Sequence, residues 1–326
     1  MLRLGIIGTG SISHEFIKAA RLSGEYEFTA VYSRTLSAAE RFAQDYKNVE
    51  LYTDMIKFLS ADLDVVYIAS PNSLHFNHAK VAILARKHVI VEKPAVSRPE
   101  EWQELVKLAA EHQVYIFEAA RNYHEVAFAV IHDFLKDKKI WGANFTYAKY
   151  SSKMDALLSG QEPNVFSAKF SGGALMDLGV YTLYAAVRLF GAPQNTCYTA
   201  QQLPNSVDLN GSGSLIYPDF QVRIQAGKNI HSQLPAEIYT DQGTLTLDGI
   251  EFIRSAIFQK LNGETESLAI RQAEHQMLEE AQAFARVLKG GQEELYSDYL
   301  QAATAVHECL FAMRKDAGIR FEVDHD

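Results

Sequence analysis

The stretch Leu4-Gly5-Ile6-Ile7-Gly8-Thr9-Gly10-Ser11-Ile12-Ser13 decides the fold class of this 326-residue chain. Its first five residues are an apolar run that predicts a strand, and the apolar spacing over residues 12–20 predicts a helix directly after it. Between them Gly8 permits a tight turn, and Gly10 lets a phosphate group approach the backbone at the positive end of the helix. A strand, a glycine turn and a helix in this order indicate dinucleotide binding, although Ser13 stands at the third glycine position.

Strands and helices alternate through the first 120 residues. Unalternating apolar runs are typical of parallel strands that are covered on both faces. We therefore expect a doubly wound parallel sheet with right-handed crossovers over residues 1–120. Two capping boxes, Ser37 with Glu40 and Ser97 with Glu100, predict helix starts. The other predicted elements are strands at 28–32, 65–69, 88–91 and 114–117 and helices at 74–86 and 102–110.

The pattern changes after residue 120, and a second domain is predicted over residues 121–326. Short β-prone segments separated by turn residues between 196 and 247 indicate an antiparallel sheet, so this domain is α+β. We expect the two domains to share a cleft. The remaining predicted elements are helices at 125–135, 174–190, 275–288 and 299–315, a strand at 144–149, and a loop at 151–173.

The composition restricts the class of protein. Hydrophobic residues make up 48% of the chain and charged residues 22%, as in globular proteins. The formal net charge of −9 argues against a nucleic-acid surface. Cys197 and Cys309 have no metal-ligand spacing, so we expect no metal and two buried or inert thiols. No targeting segment and no apolar window of membrane-spanning length is expected, which favours a cytoplasmic protein without membrane contact.

The end of the second predicted strand bears on the choice of dinucleotide. NAD-binding domains usually carry a carboxylate there for the ribose 2′-hydroxyl. This chain has Val31-Tyr32-Ser33-Arg34 instead, and the Arg34 guanidinium could pair with a 2′-phosphate. The sequence therefore favours NADP over NAD, with an exposed surface arginine as the alternative interpretation.

Two polar segments follow neighbouring predicted strands. Ser70-Pro71-Asn72-Ser73-Leu74-His75 ends one strand and Val91-Glu92-Lys93-Pro94 ends the next. The carboxyl ends of parallel strands form the ligand crevice of such sheets, so Lys93, Asn72 and His75 are expected to face one ligand. A lysine there is informative because a buried ammonium is costly. For His75 an exposed position at a helix start is equally consistent with the sequence.

A third motif lies in the second domain, in Gly172-Gly173-Ala174-Leu175-Met176-Asp177-Leu178-Gly179-Val180-Tyr181. Asp177 and Tyr181 are four residues apart, so an α-helix would place them on one face. Gly179 between them leaves room for a ligand or another backbone. Polar groups on an apolar helix need polar partners, and a hydrogen-bonded core tyrosine is the alternative.

Taken in order, these motifs resemble the glucose-fructose oxidoreductase, inositol dehydrogenase and rhizopine catabolism (Gfo/Idh/MocA) family over essentially the whole chain. The resemblance implies a Rossmann domain and a C-terminal domain with a large, mostly antiparallel open sheet. It also implies NAD(P)-dependent oxidation or reduction of a sugar, a cyclitol or a related alcohol. Homodimers or larger homo-oligomers would form through the open sheet, whose exposed face is expected to be apolar.

Two departures from the family pattern concern single residues. Many members have histidine at the position of Tyr181, and tyrosine is similar to the branch of dihydrodiol and pentose dehydrogenases. Arg121, in Glu118-Ala119-Ala120-Arg121-Asn122, precedes the usual arginine position of that branch. Its role as a substrate contact is carried over only from the resemblance.

The resemblance implies a mechanism of hydride transfer with Tyr181 as acid/base. A free phenol has a pKa near ~10, and a neighbouring Lys93 ammonium would favour the phenolate. Lys93 would also hydrogen-bond the substrate oxygen, and Asp177 would orient Lys93 or the substrate hydroxyls. The predicted substrate contacts are Lys93, Arg121, Asn164, Lys169, Asp177 and Tyr181. The predicted cofactor contacts are Gly8, Thr9, Gly10, Ser11, Ile12, Ser33, Arg34, Ser70, Pro71, Asn72, His75, Glu92 and Lys93.

Two other functions remain open at this point. One is a glycoside hydrolase of the same fold that uses bound NAD transiently. The other is a non-catalytic dinucleotide sensor, although sensing would need none of Lys93, Asp177 and Tyr181.

Overall fold

The computed structural model describes residues 1–325 and divides the chain into two compact units. Unit 1 comprises Met1–Ala119 and Glu274–Gln301, and unit 2 comprises Ala120–Ala273 and the chain from Ala302 onward. Segment 274–301 was predicted within the second domain, but it packs in unit 1. There the Tyr26 hydroxyl donates to the Ala281 carbonyl at 2.8 Å.

Unit 1 contains one six-stranded parallel sheet in the order β3-β2-β1-β4-β5-β6. This confirms the predicted doubly wound sheet. Because the strand order reverses direction between β1 and β4, their carboxyl ends flank the crevice in which such sheets bind ligands. The strands are β1 (Leu2–Ile7), β2 (Tyr26–Tyr32), β3 (Glu50–Tyr52), β4 (Val65–Ile68), β5 (His88–Glu92) and β6 (Ile116–Ala119).

Five helices connect these strands: α1 (Ser11–Ser23), α2 (Leu36–Ala43), α3 (Met55–Leu59), α4 (His75–Leu84) and α5 (Pro99–His112). Strand β3 and helix α3 have three and five residues and were not predicted. Both predicted capping residues are wrong by one or two positions. Thr35, not Ser37, caps α2. Arg98, not Ser97, precedes α5, where the Glu101 carboxylate accepts the Arg98 N–H at 3.1 Å.

Unit 2 contains an eight-stranded sheet in the order β14-β13-β12-β11-β7-β10-β9-β8. The β7–β10 pair is parallel and the other pairs are antiparallel, which confirms the large, mostly antiparallel sheet. The strands are β7 (Ile140–Ala148), β8 (Asn195–Gln202), β9 (Asp208–Ile216), β10 (Gln221–Gly227), β11 (Ala236–Thr240), β12 (Gly243–Leu247), β13 (Ala256–Lys260) and β14 (Thr265–Ser267).

Side chains alternate between the two faces of this sheet. The buried face is apolar and includes Phe145, Val222, Ile224, Ile238 and Leu245. The opposite face is mainly polar, although Ile257 is exposed on it beside Thr246, so no continuous apolar patch of the expected kind forms. Its polar residues include Asn144, Thr146, Arg223, Gln225, Glu237, Thr244 and Thr246. Such alternation is typical of an antiparallel sheet with one face in the core.

The remaining helices are α6 (Val126–Leu135), α7 (Met154–Leu158), α8 (Val180–Phe190), α9 (Leu278–Gly290) and α10 (Glu293–Ala317). The helix predicted over 174–190 is interrupted: a π-helical turn at Leu175–Gly179 precedes α8. Of the two cysteines, Cys309 is buried as expected, whereas Cys197 is exposed.

One apolar segment of the described residues was not anticipated. Ala168–Phe190 is long and apolar enough to cross a membrane. Its most apolar 18 residues have a mean hydropathy of 1.2, but 78% of that stretch is buried inside the protein. Burial of that extent is typical of a core helix, and α8 packs on the sheet, where the Phe145 and Phe190 rings stack at 6.4 Å.

Candidate active-site residues in each unit

The glycine turn of unit 1 is shaped for close approach of a ligand. Gly8 has φ +108°, and a Cβ there would lie 2.4 Å from the Ala69 carbonyl oxygen, so only glycine fits. A Cβ on Gly10 would meet nothing within 4 Å. Ser13 is buried, and its hydroxyl donates to the Gly8 carbonyl at 2.9 Å. The serine at the third glycine position therefore holds the turn together.

The first turn of α1 has backbone N–H groups that no side chain of residues 1–325 caps. Gly10 is the extended residue before the helix. Uncapped N–H groups at a helix start attract anions. Thr9 is half-buried, and Ser11 and Ile12 are exposed beside this turn.

The end of β2 carries the predicted selector of the dinucleotide. The Ser33 N–H donates to the Tyr52 carbonyl at 3.0 Å, which joins β2 to β3. Arg34 follows directly and is exposed. Both residues lie at the strand edge where a ribose would be expected, but their roles as cofactor contacts stay predictions.

His75 joins two turns at the carboxyl edge of the sheet. It is 1% exposed, not on the surface, and its Nδ1 lies 2.9 Å from the Pro94 carbonyl oxygen and its Nε2 2.6 Å from that of Ser70. Burial lowers the pKa of His75 below its ordinary value. A neutral imidazole donates through one nitrogen only. His75 therefore links the Ser70 and Pro94 turns inside unit 1, and its contact with a cofactor stays a prediction.

A second histidine, His78, also binds the turn at Ser70, through the serine hydroxyl. The Ser70 hydroxyl lies 2.9 Å from Nδ1 of His78. Burial lowers the pKa of His78 to about 4. Pro71 and Asn72, which come next, are half-buried.

Lys93 is half-buried and follows β5 directly. The preceding Glu92 is buried; it accepts a hydrogen bond from the Tyr67 hydroxyl and one from the Lys93 N–H at 3.2 Å. On the other side of the cis Lys93–Pro94 peptide, the Glu118 carboxylate accepts the Ala95 N–H at 3.1 Å. The backbone on either side of Lys93 is therefore fixed by carboxylates.

Tyr67 and Glu118 were not among the predicted site residues. Each lies on a strand next to β5, since Tyr67 pairs with Ile90 and Glu118 with Val91. A polar residue inside an otherwise apolar parallel strand is the signal that could have found them.

In unit 2, Tyr181 is 8% exposed and contacts Arg121. The Arg121 Nε lies 3.4 Å from the Tyr181 hydroxyl oxygen, and the guanidinium carbon lies 5.1 Å from the centre of the ring. The Tyr147 ring meets Tyr181 edge-on at 5.3 Å. The phenol therefore has a cation and a second aromatic ring against it.

Asp177 forms an ion pair with Lys228, which the sequence did not single out. The Lys228 side chain is 6% exposed and that of Asp177 34%. Because a π-helical turn contains Asp177, the α-helical register assumed for Asp177 and Tyr181 is wrong. A lysine directly after a strand is only a weak sequence signal for a buried ion pair, and the partner of Lys228 is 51 residues away in sequence.

The two remaining predicted substrate contacts lie on short 3-10 turns. Asn164 begins the turn Asn164–Phe166 and Lys169 lies in Ala168–Phe170. Both are exposed, and the Lys169 ammonium lies 5.8 Å from the centre of the Phe170 ring. Within residues 1–325 no group of His, Cys, Asp and Glu side chains is placed to hold a metal ion.

Comparison with known proteins decides the family. Residues 2–120 match the model of the GFO_IDH_MocA oxidoreductase family, described as an NAD-binding Rossmann fold, and residues 140–246 match the GFO/IDH/MocA C-terminal domain. The chain belongs to the Gfo/Idh/MocA oxidoreductase family. It is therefore an oxidoreductase with an NAD(P)-binding Rossmann domain, as the sequence motifs predicted.

Two relatives match this family member along its whole length. The chain is 35% identical to the oxidoreductase YgjR of Escherichia coli K12, covering 99% of both chains. It is 32% identical to IolU of Bacillus subtilis, a scyllo-inositol 2-dehydrogenase (NADP(+)), again over 99% of both. Among solved structures, KijD10, a 3-ketoreductase from Actinomadura kijaniata in complex with NADP and TDP-benzene, has the same fold. Its TM-score is 0.85 at 22% identity, covering 97% of this chain and 98% of KijD10.

Proposed function

We propose that this oxidoreductase transfers a hydride between a nicotinamide dinucleotide and a CH–OH or C=O carbon of a cyclitol, a sugar or a related alcohol, and that it prefers NADP. The observation that carries the proposal is Lys93, half-buried at the carboxyl end of β5 with Glu92 and Glu118 fixing the backbone around it. The full-length similarity to an NADP-dependent inositol dehydrogenase supports the substrate class.

The bound dinucleotide would supply or accept the hydride. The open approach at Gly10 and the uncapped first turn of α1 would hold its pyrophosphate. The Lys93 ammonium would donate to the substrate oxygen and stabilise the negative charge that develops there. We propose that Tyr181 moves the hydroxyl proton in the same reaction. Asp177, held by Lys228, would orient the substrate hydroxyls.

The direct test is a screen of cyclitols, aldoses and diols with both nicotinamides, read at the absorbance of the reduced cofactor. With the best substrate, Lys93→Met and Tyr181→Phe should each lower kcat by about 10²–10⁴-fold, the contribution typical of positioned acid/base and oxyanion-stabilising groups. Tyr184→Phe, one turn further along α8, is the matched control and should keep near-normal kcat. Unchanged turnover in both of the first two variants would reject the assignment.

The same screen separates the other two candidate functions. An NAD-using glycoside hydrolase would release free sugar with no net change in reduced nicotinamide. A dinucleotide sensor would bind NADP, show no turnover with any substrate, and bind equally well after Lys93→Met.

The NADP preference rests on Arg34. Arg34→Ala should weaken NADP binding about 10–100-fold, the loss expected for a charge-assisted pair. NAD binding should stay within about twofold, because NAD has no 2′-phosphate for Arg34 to pair with. Isothermal titration with both dinucleotides measures the two constants. Equal losses for NADP and NAD would remove the preference.

We further propose a cytoplasmic homodimer or higher homo-oligomer that assembles through the exposed sheet face of unit 2. Because that face is polar, the interface would rest on hydrogen bonds and charges such as Arg223 and Glu237. Light scattering of the native protein and of Arg223→Glu tests this, since a charge reversal at the interface should shift the mass toward the monomer. An unchanged oligomer would place the interface elsewhere.

A further inference from the structure

The segment that follows β12 is bound by the residues that follow β6. The Asn122 side-chain amide donates to the Ile250 carbonyl and to the Tyr181 carbonyl, both at 3.0 Å. Arg121 Nη1 donates to the Glu251 carbonyl at 2.7 Å. Two consecutive side chains thus tie this segment, and Asn122 ties it to the first turn of α8 as well.

The same segment is fixed at two more points. The Glu125 carboxylate accepts the Ile253 N–H at 2.9 Å. Asp248 accepts the Arg254 N–H at 2.9 Å and pairs with its guanidinium at 2.8 Å. Hydrogen bonds thus fix the Ile250 carbonyl before Glu251 and the Ile253 N–H after it. The Glu251 carbonyl between them is therefore a rigid acceptor for Arg121.

Arg121 reaches Tyr181 from this anchored position. Nη1 is held by Glu251 while Nε lies 3.4 Å from the phenol oxygen, longer than the ~2.9 Å typical of N–H···O bonds. At that distance the main effect of the guanidinium is its charge, both near the hydroxyl and near the ring. Hydrogen bonds of active groups are often long without substrate and shorten when it binds.

We propose that Arg121 is a positioning residue for Tyr181: it fixes the phenol ring and stabilises the negative charge that develops on the phenol oxygen as the proton moves. The proposal rests on the proposed function of Tyr181. It replaces the substrate contact that the sequence assigned to Arg121, because the guanidinium contacts the phenol and Glu251.

A double-mutant comparison tests whether Arg121 acts through Tyr181. Arg121→Met should lower kcat about 10–100-fold with KM nearly unchanged, whereas Arg121→Lys, which keeps the charge, should lose less than about tenfold. In a Tyr181→Phe background, Arg121→Met should cost less than about threefold more, because the group it acts on is gone. Equal losses in both backgrounds, or a rise in KM alone, would overturn the proposal.

Chemical rescue separates the charge of Arg121 from its structural contribution. Millimolar guanidinium should restore part of kcat to Arg121→Ala and none to Arg121→Ala/Tyr181→Phe, with sodium chloride at equal ionic strength as the control. Absence of rescue in Arg121→Ala together with a normal kcat in Arg121→Met would count against the proposal.

An NMR measurement that needs no turnover tests the contact between Arg121 and Tyr181 separately from the proposed function. In ¹⁵N-arginine-labelled protein, the Arg121 Nε–H signal, assigned through Arg121→Lys, should shift in Tyr181→Phe and stay in Tyr184→Phe. A signal that does not respond to Tyr181→Phe overturns the inference. A signal that responds in a protein with no dehydrogenase activity would uphold the contact and reject the proposed function.

Discussion

Breaking the ion pair between Asp177 and Lys228 should destabilise unit 2 by an amount that depends on which partner is removed. The Lys228 side chain is 6% exposed, so Asp177→Leu leaves a buried ammonium without its carboxylate. Loss of one partner of a buried pair costs about 3–5 kcal/mol, and we expect the lower half of that range. Lys228→Met leaves a carboxylate that water reaches, since Asp177 is 34% exposed, and should cost about 1–2 kcal/mol.

The double variant Asp177→Leu/Lys228→Met should recover most of this loss. It places two apolar side chains of similar volume together, and such replacements of ion pairs are often close to neutral. The free energy of unfolding should fall within about 1 kcal/mol of the wild type. Set against single-variant costs that sum to about 4–6 kcal/mol, this gives a coupling energy of about 3–6 kcal/mol between the two positions.

Urea unfolding followed by circular dichroism measures these free energies. Lys149→Met, an exposed lysine just after β7, is the matched control and should change little. Equal costs for the two single variants would contradict the reasoning from exposure. Strictly additive costs in the double variant would show that the pair does not interact.

Three further predictions concern other parts of the molecule. Gly8→Ala should lower the free energy of unfolding by about 1–3 kcal/mol, because Gly8 has a positive φ and a Cβ there would contact Ala69. Gly10→Ala should keep the wild-type thermal midpoint and weaken only dinucleotide binding. Equal thermal midpoints for the two variants would refute this. His78, with a folded pKa of about 4, stays neutral while the unfolded chain takes up a proton. Stability should therefore fall between about pH 6.5 and 4, and His78→Asn should flatten that slope in urea titrations. At pH 8 a thiol reagent should label exposed Cys197 and spare Cys309, whose pKa burial raises to about 12; rapid labelling of both would contradict the buried position.

Sequence reasoning predicted the features that depend on local pattern. The run Val65–Ala69 reads as a buried parallel strand because it is apolar apart from the Tyr67 hydroxyl, and β4 is buried over its whole length. The alternation in unit 2 likewise encodes one buried and one exposed face. Strand β3 was missed because three residues, one of them an exposed glutamate, carry too little periodicity.

Local pattern was less informative about register. The Ser97–Glu100 pair fits a capping box, but Pro99 occupies the first helical position, so the helix starts one residue later than the serine implies. The π-helical turn before α8 has no signal in the apolar pattern, because the residues around Asp177 are apolar whichever register the helix adopts.

The partners of the candidate site residues were beyond the reach of sequence patterns. Motifs pointed to Lys93, Asp177 and Tyr181, but the groups that Asp177 and Tyr181 contact lie 51 and 60 residues away in sequence. A single sequence specifies which side chains carry charge. The packing of unit 2 then determines that Asp177 pairs with Lys228 and that Arg121 contacts the Tyr181 phenol. A charge already matched inside the protein is less available to a ligand. Arg121, bound by the Glu251 carbonyl and facing Tyr181, is therefore a weaker candidate for the substrate contact that the resemblance assigned to it, whereas the Asp177 side chain stays 34% exposed.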